Sequence, residues 1–99
     1  MEIDLESNGI KVKGNCVVKD LQPLKKTMLE LLESESSSIE LDLSGIEAID
    51  TAGVQFLAVC RNNALEKEKT FKITADSEPV REALKITGLE SMLEDSKND

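Results

Sequence analysis

The chain has 99 residues, twelve of them basic and twenty acidic, giving a net charge of −8; it has no His, Trp or Tyr. That balance excludes a binder of the nucleic-acid backbone, which needs a positive stripe to displace counterions. It also excludes polybasic attachment to anionic lipid. With only Phe56 and Phe71 as aromatics, bases and sugars have little to stack on, and the core must be aliphatic.

The length suits one domain with one core. Cys16 and Cys60 form no CxxC pair and have no His to complete a zinc site, so they read as free, reduced, buried residues. The first residues show no positively charged start followed by an apolar core and cleavage site, and no apolar run approaches the ~18 residues of a membrane span. A soluble, cytoplasmic protein with no direct membrane insertion is expected.

In chain order, Ile3 and Leu5 alternate with Glu2, Asp4 and Glu6, the period of a half-buried strand. Asn8-Gly9 signals a two-residue hairpin turn, and Ile10 and Val12 alternate with Lys11 and Lys13 on the way back. Gly14-Asn15 reads as a break, with Cys16-Val17-Val18 as a further short extended segment. Asp20 is the expected cap of a first helix, with Pro23 in its first turn and Leu21, Leu24, Met28, Leu31 and Leu32 at helical spacing. A polar connector spans 34–38. Alternation returns in Ile39, Leu41 and Leu43, a strand over 39–43.

A second helix is expected over 52–66. Val54, Leu57, Ala58, Arg61 and Leu65 form its stripe, widened by Phe56, Val59 and Cys60. A strand follows over 70–74, then a helix capped by Ser77, with Pro79 in its first turn, Val80, Ala83 and Leu84 inward, and Gly88 at its end. Leu89, Met92 and Leu93 suggest a last turn, and 94–99 a frayed acidic tail. Strand 39–43, helix 52–66 and strand 70–74 make a βαβ unit with parallel strands, to which the hairpin adds antiparallel neighbours. The expected fold is α/β, a single-domain mixed sheet of about four to five strands flanked by helices.

Tests for chemistry remove most sites. There is no His to serve as base, no Walker A sequence and no GxGxxG, so no catalytic residue, metal or cofactor is assigned. One stretch remains. Asp50-Thr51-Ala52-Gly53 follows a strand and opens a helix, where free N–H groups and a partial positive charge gather. Either Asp50 or Thr51 can cap the helix, and Gly53 permits close packing or close approach of a partner. On the residues alone, a plain capped turn is the favoured account and a binding site the alternative.

Asp42-Leu43-Ser44, then Asp50 through Gly53, Ser77 to Val80 and Gly88-Leu89 together resemble the STAS family, named for sulfate transporters and anti-sigma factor antagonists. The resemblance is concentrated over 39–93 and compatible over 1–38, which makes 1–93 the expected domain. It implies a non-enzymatic module that docks on other proteins in bacterial signalling and the regulation of transcription. In stand-alone antagonists of anti-sigma factors, a serine in this turn is phosphorylated by a partner kinase, and the added charge abolishes binding.

Here the position before Gly53 is Ala52, which leaves Thr51 as the one hydroxyl in the turn and the candidate phosphorylation site. The acidic residue that antagonists often carry after a glycine is also missing, at Asn15-Cys16-Val17-Val18. Asp50, Thr51, Ala52, Gly53 and Gln55 are the implied partner-binding residues, with Arg61, Asn62 and Asn63 as further polar contacts. The implied partner is an anti-sigma factor, a serine kinase or another signalling protein. Alternatives are a STAS subunit of an ABC-type lipid-transport ATPase complex, where the same Thr acts without modification, and a chemotaxis-associated STAS protein. Nucleotide binding, linked to some members, has no phosphate loop behind it here.

Overall fold

The computed structural model describes residues 1–6 and 9–93. Four strands form one sheet in the order β1-β2-β3-β4: β1 (Glu2–Leu5), β2 (Gly9–Cys16), β3 (Ser38–Ile49) and β4 (Thr70–Ala75). β1 and β2 are antiparallel, whereas β2–β3 and β3–β4 are parallel. The parallel pairs are bridged by α1 (Gln22–Glu33) and α2 (Thr51–Glu66), and α3 (Glu78–Ile86) follows β4. The mixed sheet and the βαβ unit are as the periodicity predicts. The expected tail over 94–99 and Asn8 of the expected turn lie outside the described residues.

Period 2 decides which face is covered. Ile10, Val12, Cys16, Ile39, Leu41, Leu43, Phe71 and Ile73 are buried on one face. There they meet Leu24, Met28 and Leu32 of α1, Val54, Leu57, Cys60 and Ala64 of α2, and Val80 and Leu84 of α3. α2 packs against both other helices and against β3 and β4, and α3 packs on β3. The opposite face carries charge in matched register: Glu2 opposite Lys13, Asp4 opposite Lys11, Lys11 opposite Asp42, Glu40 opposite Lys72. Opposite charges directly across a ladder stabilise it modestly, so this face is built for water.

Several local expectations are corrected. β2 does not break at Gly14-Asn15. Gly14 adopts φ 105, a left-handed conformation that suits glycine, and the strand runs on to Cys16 through a register shift. Val17-Val18 is therefore not a separate strand; Val18–Asp20 forms a 3-10 turn. Asp20 is not the cap of α1. Leu21 holds that position, with no side-chain hydrogen bond to the helix.

β3 extends six residues past Leu43, because register shifts against β2 reset its inward face so that Ile46 is buried. In α2, Val59 and Leu65 are not inward; each is 52% exposed, and Ala64 takes the buried position instead. Ser77 does occupy the cap position of α3, but its Oγ is buried without a hydrogen-bond partner and caps nothing.

Both α2 and α3 close with the same backbone device. Leu89 N–H donates to Leu84 C=O at 2.7 Å and Gly88 N–H to Lys85 C=O at 3.2 Å, with Gly88 at φ 77. Lys69 N–H donates to Ala64 C=O at 2.8 Å and Glu68 N–H to Leu65 C=O at 3.0 Å, with Glu68 at φ 60. These are Schellman closures, which satisfy the last carbonyls of a helix by a left-handed residue. Lys69 adds a second clamp. Buried itself, it sends its ammonium to the carbonyls of Ser34 and Ser36 and so ties the end of α1 to the start of β4.

Candidate functional site

The Asp50–Gly53 turn sits where β3 ends and α2 begins, beside the end of β2. Asp50 organises it. Its backbone is extended, at φ −110 and ψ −179, as an N-cap requires. Oδ1 accepts from Gly53 N–H at 2.8 Å, the cap bond, while Oδ2 accepts from Val18 N–H at 3.0 Å. Asp50 N–H in turn donates to Cys16 C=O at 3.3 Å. One carboxylate thus holds the first turn of α2 and the 3-10 turn after β2 in a single frame. Hydrogen bonds from the Val18 N–H, and then the Gly53 N–H, hold its pKa below the usual carboxylate value. Between the two caps open in the sequence, the structure uses Asp50.

Gly53 is where the frame closes. A Cβ there would lie 2.2 Å from Cys16 C=O and 2.9 Å from Ile49 Cγ1, so only glycine lets α2 start this close to β2. Ala52 is half-buried, while Thr51, the first residue of the helix, is exposed. Gln55 and Asn62 are exposed on the same helix, and Arg61 and Asn63 are half-buried.

Between the exposed polar positions stands Val59, two turns on from Thr51, and Val18 beside Asp50 is 67% exposed. These two apolar residues were not among those expected here. Val59 reads in the sequence only as part of a widened apolar stripe, and only the end of β2, which the sequence conceals, brings Val18 to the turn.

Asp42-Leu43-Ser44 does not join this cluster. Asp42 and Ser44 lie in the middle of β3 on the face opposite the buried Leu43, where the Ser44 hydroxyl donates to Asp42 Oδ1 at 2.6 Å and its N–H to the same oxygen at 3.0 Å. The Ser44 hydroxyl is the main cause of the lowered Asp42 pKa. This motif braces the register shift in β3. The two thiols are internal. Burial, and then the nearby Asp50 charge, raise Cys16 to about 11, and burial, then Cys16, raise Cys60 to about 12. Both stay protonated and are poor nucleophiles at neutral pH. Among the described residues no group of His, Cys, Asp and Glu could hold a metal ion, and no helix is long and apolar enough to cross a membrane.

Comparison with known proteins bears on the family and the fold. The family described as "Mlab, STAS domain" matches residues 1–94. The fold is also that of the anti-sigma factor antagonist SpoIIAA in its unphosphorylated form. Identity to it is 11%, the TM-score is 0.75, and the match covers 93% of this chain and 84% of that one. An anti-sigma factor antagonist from Mycobacterium paratuberculosis is 21% identical, with a TM-score of 0.74 over 93% of this chain and 80% of its own. No curated protein matches the chain.

Proposed function

The chain belongs to the STAS family, and from that premise we propose that it is a non-enzymatic docking module of cytoplasmic signalling. It uses the Asp50–Gly53 turn and the exposed side of α2 to bind a regulatory protein in the manner of an anti-sigma factor antagonist. The observation that carries this reading is the frame around Asp50. A carboxylate with two backbone donors fixes the turn, so that Thr51, Ala52 and Gln55 are presented with little conformational freedom to lose on binding. Val18 and Val59 supply apolar contact area beside them. The non-enzymatic reading rests on the absence of His and on two thiols that burial keeps protonated.

Thr51 is the one residue of the turn that can be phosphorylated. Its side chain is exposed at the first helical position, where a phosphate would be favoured by the helix N-terminus and would place nearly two negative charges on the docking face. The switch would then act on the partner and leave the fold intact.

A second reading has the same turn gripping an ABC-type ATPase, with Thr51 acting by packing and hydrogen bonding. The Asp-Thr-Ala-Gly turn and the Mlab description of the matched family favour it. Affinity purification from the native cells, with wild type against Thr51→Glu, tests both. Loss of a specific partner in the variant, with a melting temperature no lower than that of wild type, supports the docking face, and the partner's identity separates the two readings. Equal recovery of that partner by both proteins rules the face out. Phosphate on Thr51 in the intact mass favours the switch.

A further inference from the structure

β1 ends the sheet, and on its far side no described strand pairs with it. Its two faces differ in chemistry. Ile3 and Leu5 stand opposite Val12 and Ile10 and so share the helix-covered face, while Glu2 and Asp4 stand opposite Lys13 and Lys11 on the charged face. Leu5 is 79% exposed, an unusual position for a leucine on the covered side of a sheet. It borders a groove of about 380 Å³ between β1 and α1, lined by Ile3, Leu5, Thr27, Glu30 and Leu31.

We propose that this edge accepts an extended segment of a protein partner in which lysine or arginine alternates with aliphatic residues, added as an antiparallel fifth strand beside β1. Strand addition joins main-chain hydrogen bonds to alternating side-chain pockets. Here the aliphatic residues of the segment would fill the groove over Leu5 and Leu31, and its basic residues would lie against Glu2 and Asp4. β2 already satisfies β1 in this way from the other side, with Ile10 and Val12 on one face and Lys11 and Lys13 on the other.

Charge selects the occupant. A second copy of β1, paired antiparallel through Ile3, would set Glu2 against Asp4 of its partner, a like-charge pair that destabilises a ladder. The net charge of −8 favours a basic segment over an acidic one. The opposite edge does not compete, because β4 presents Lys72 on its charged face. This inference is independent of the turn at Asp50 and stands if that docking face fails.

The test is an amide NMR titration of the full chain with an end-capped lysine–valine alternating peptide of about eight residues, a little longer than an ordinary strand. A glutamate–valine peptide serves as control. The expected result is a set of shifts centred on Ile3–Leu5 and on Thr27–Leu31 with the basic peptide alone. Leu5→Lys, at a position too exposed to disturb folding, should weaken that binding at least tenfold. The proposal is overturned if both peptides shift the same amides, or if the shifts fall on β4 or on the α2 turn. It is equally overturned if Leu5→Lys binds as wild type does, or if sedimentation shows a dimer that Leu5→Lys dissolves.

Discussion

Asp50 holds two N–H groups from segments far apart in the chain, and its removal leaves the start of α2 and the turn at Val18 without that shared acceptor. Asp50→Ala should therefore lower the melting temperature by several degrees at neutral pH. The pH dependence has a definite sign. Because the folded-state pKa is depressed, the contribution of Asp50 is complete above the ordinary carboxyl value near 4 and is lost as pH falls through the lower folded value. Thermal melts between about pH 2 and 7 should show the gap between wild type and Asp50→Ala closing at the acid end. Asp42 remains depressed in the variant, so some acid sensitivity persists. A gap independent of pH would contradict the hydrogen-bond account.

Gly53 gives a second test at this scale. Gly53→Ala drives a methyl group into the Cys16 carbonyl and should cost about 1–3 kcal/mol in urea unfolding, as overpacking does. Thr51→Glu is the contrast. A carboxylate at an exposed first helical position should leave stability unchanged or raise it by about 0.3–1 kcal/mol. One turn thus contains a position that tolerates charge and, two residues on, a position that tolerates no side chain at all.

At the scale of elements, the two helix endings separate what a sequence displays from what it conceals. Gly88 announces a left-handed closure by its identity, and α3 ends there. Glu68 performs the same task at φ 60 with a side chain that resists it, and nothing in its type signals the stop. Glu68→Gly should relieve that conformation and stabilise the domain by about 0.5–1 kcal/mol, read as a higher midpoint in urea.

Lys69 is a clamp of the opposite kind. Lys69→Met keeps the stem but removes the ammonium from the Ser34 and Ser36 carbonyls, and should cost about 1.5–3 kcal/mol. Faster amide exchange in the 34–38 connector would accompany it. The strands follow the same logic. Alternation in Ile39, Leu41 and Leu43 marks β3 correctly until the register slips, after which Ile46 faces inward against the parity of its predecessors. Period-2 reading ends β3 at Leu43 for that reason. It breaks β2 at Gly14 for a related one, since a glycine that serves a bulge looks the same in sequence as a glycine that serves a turn.

For the whole molecule, the mixed topology and the identity of the core were legible because aliphatic periodicity is a property of many residues at once. The composition of the proposed docking face was less so. Asp50 through Gly53 and Gln55 are close together in sequence and could be read as a unit, whereas Val18 reaches the turn only through the extension of β2. Val59 turns outward because Ala64, Cys60 and Leu57 fill the core side of α2. The charged face of the sheet and the helix-covered face divide the molecule into a side matched internally by ion-pair register and a side with exposed apolar residues at its margins. Lys13 and Asp4, diagonal neighbours across β1 and β2 that lie 3.5 Å apart and are both well exposed, belong to the first; such pairs contribute little to stability and are screened by salt.

Under the proposed docking, the carboxylate-framed turn at the start of α2 is the surface by which this STAS protein meets its partner. Amide hydrogen exchange of the chain alone and in complex with the partner recovered from native cells tests it most directly. Docking there should add protection confined to Val18 and to the stretch from Thr51 to Val59, absent when Thr51→Glu is used at the same concentration. Protection on the charged face of the sheet, with the exchange of Thr51 to Val59 unchanged, would contradict it.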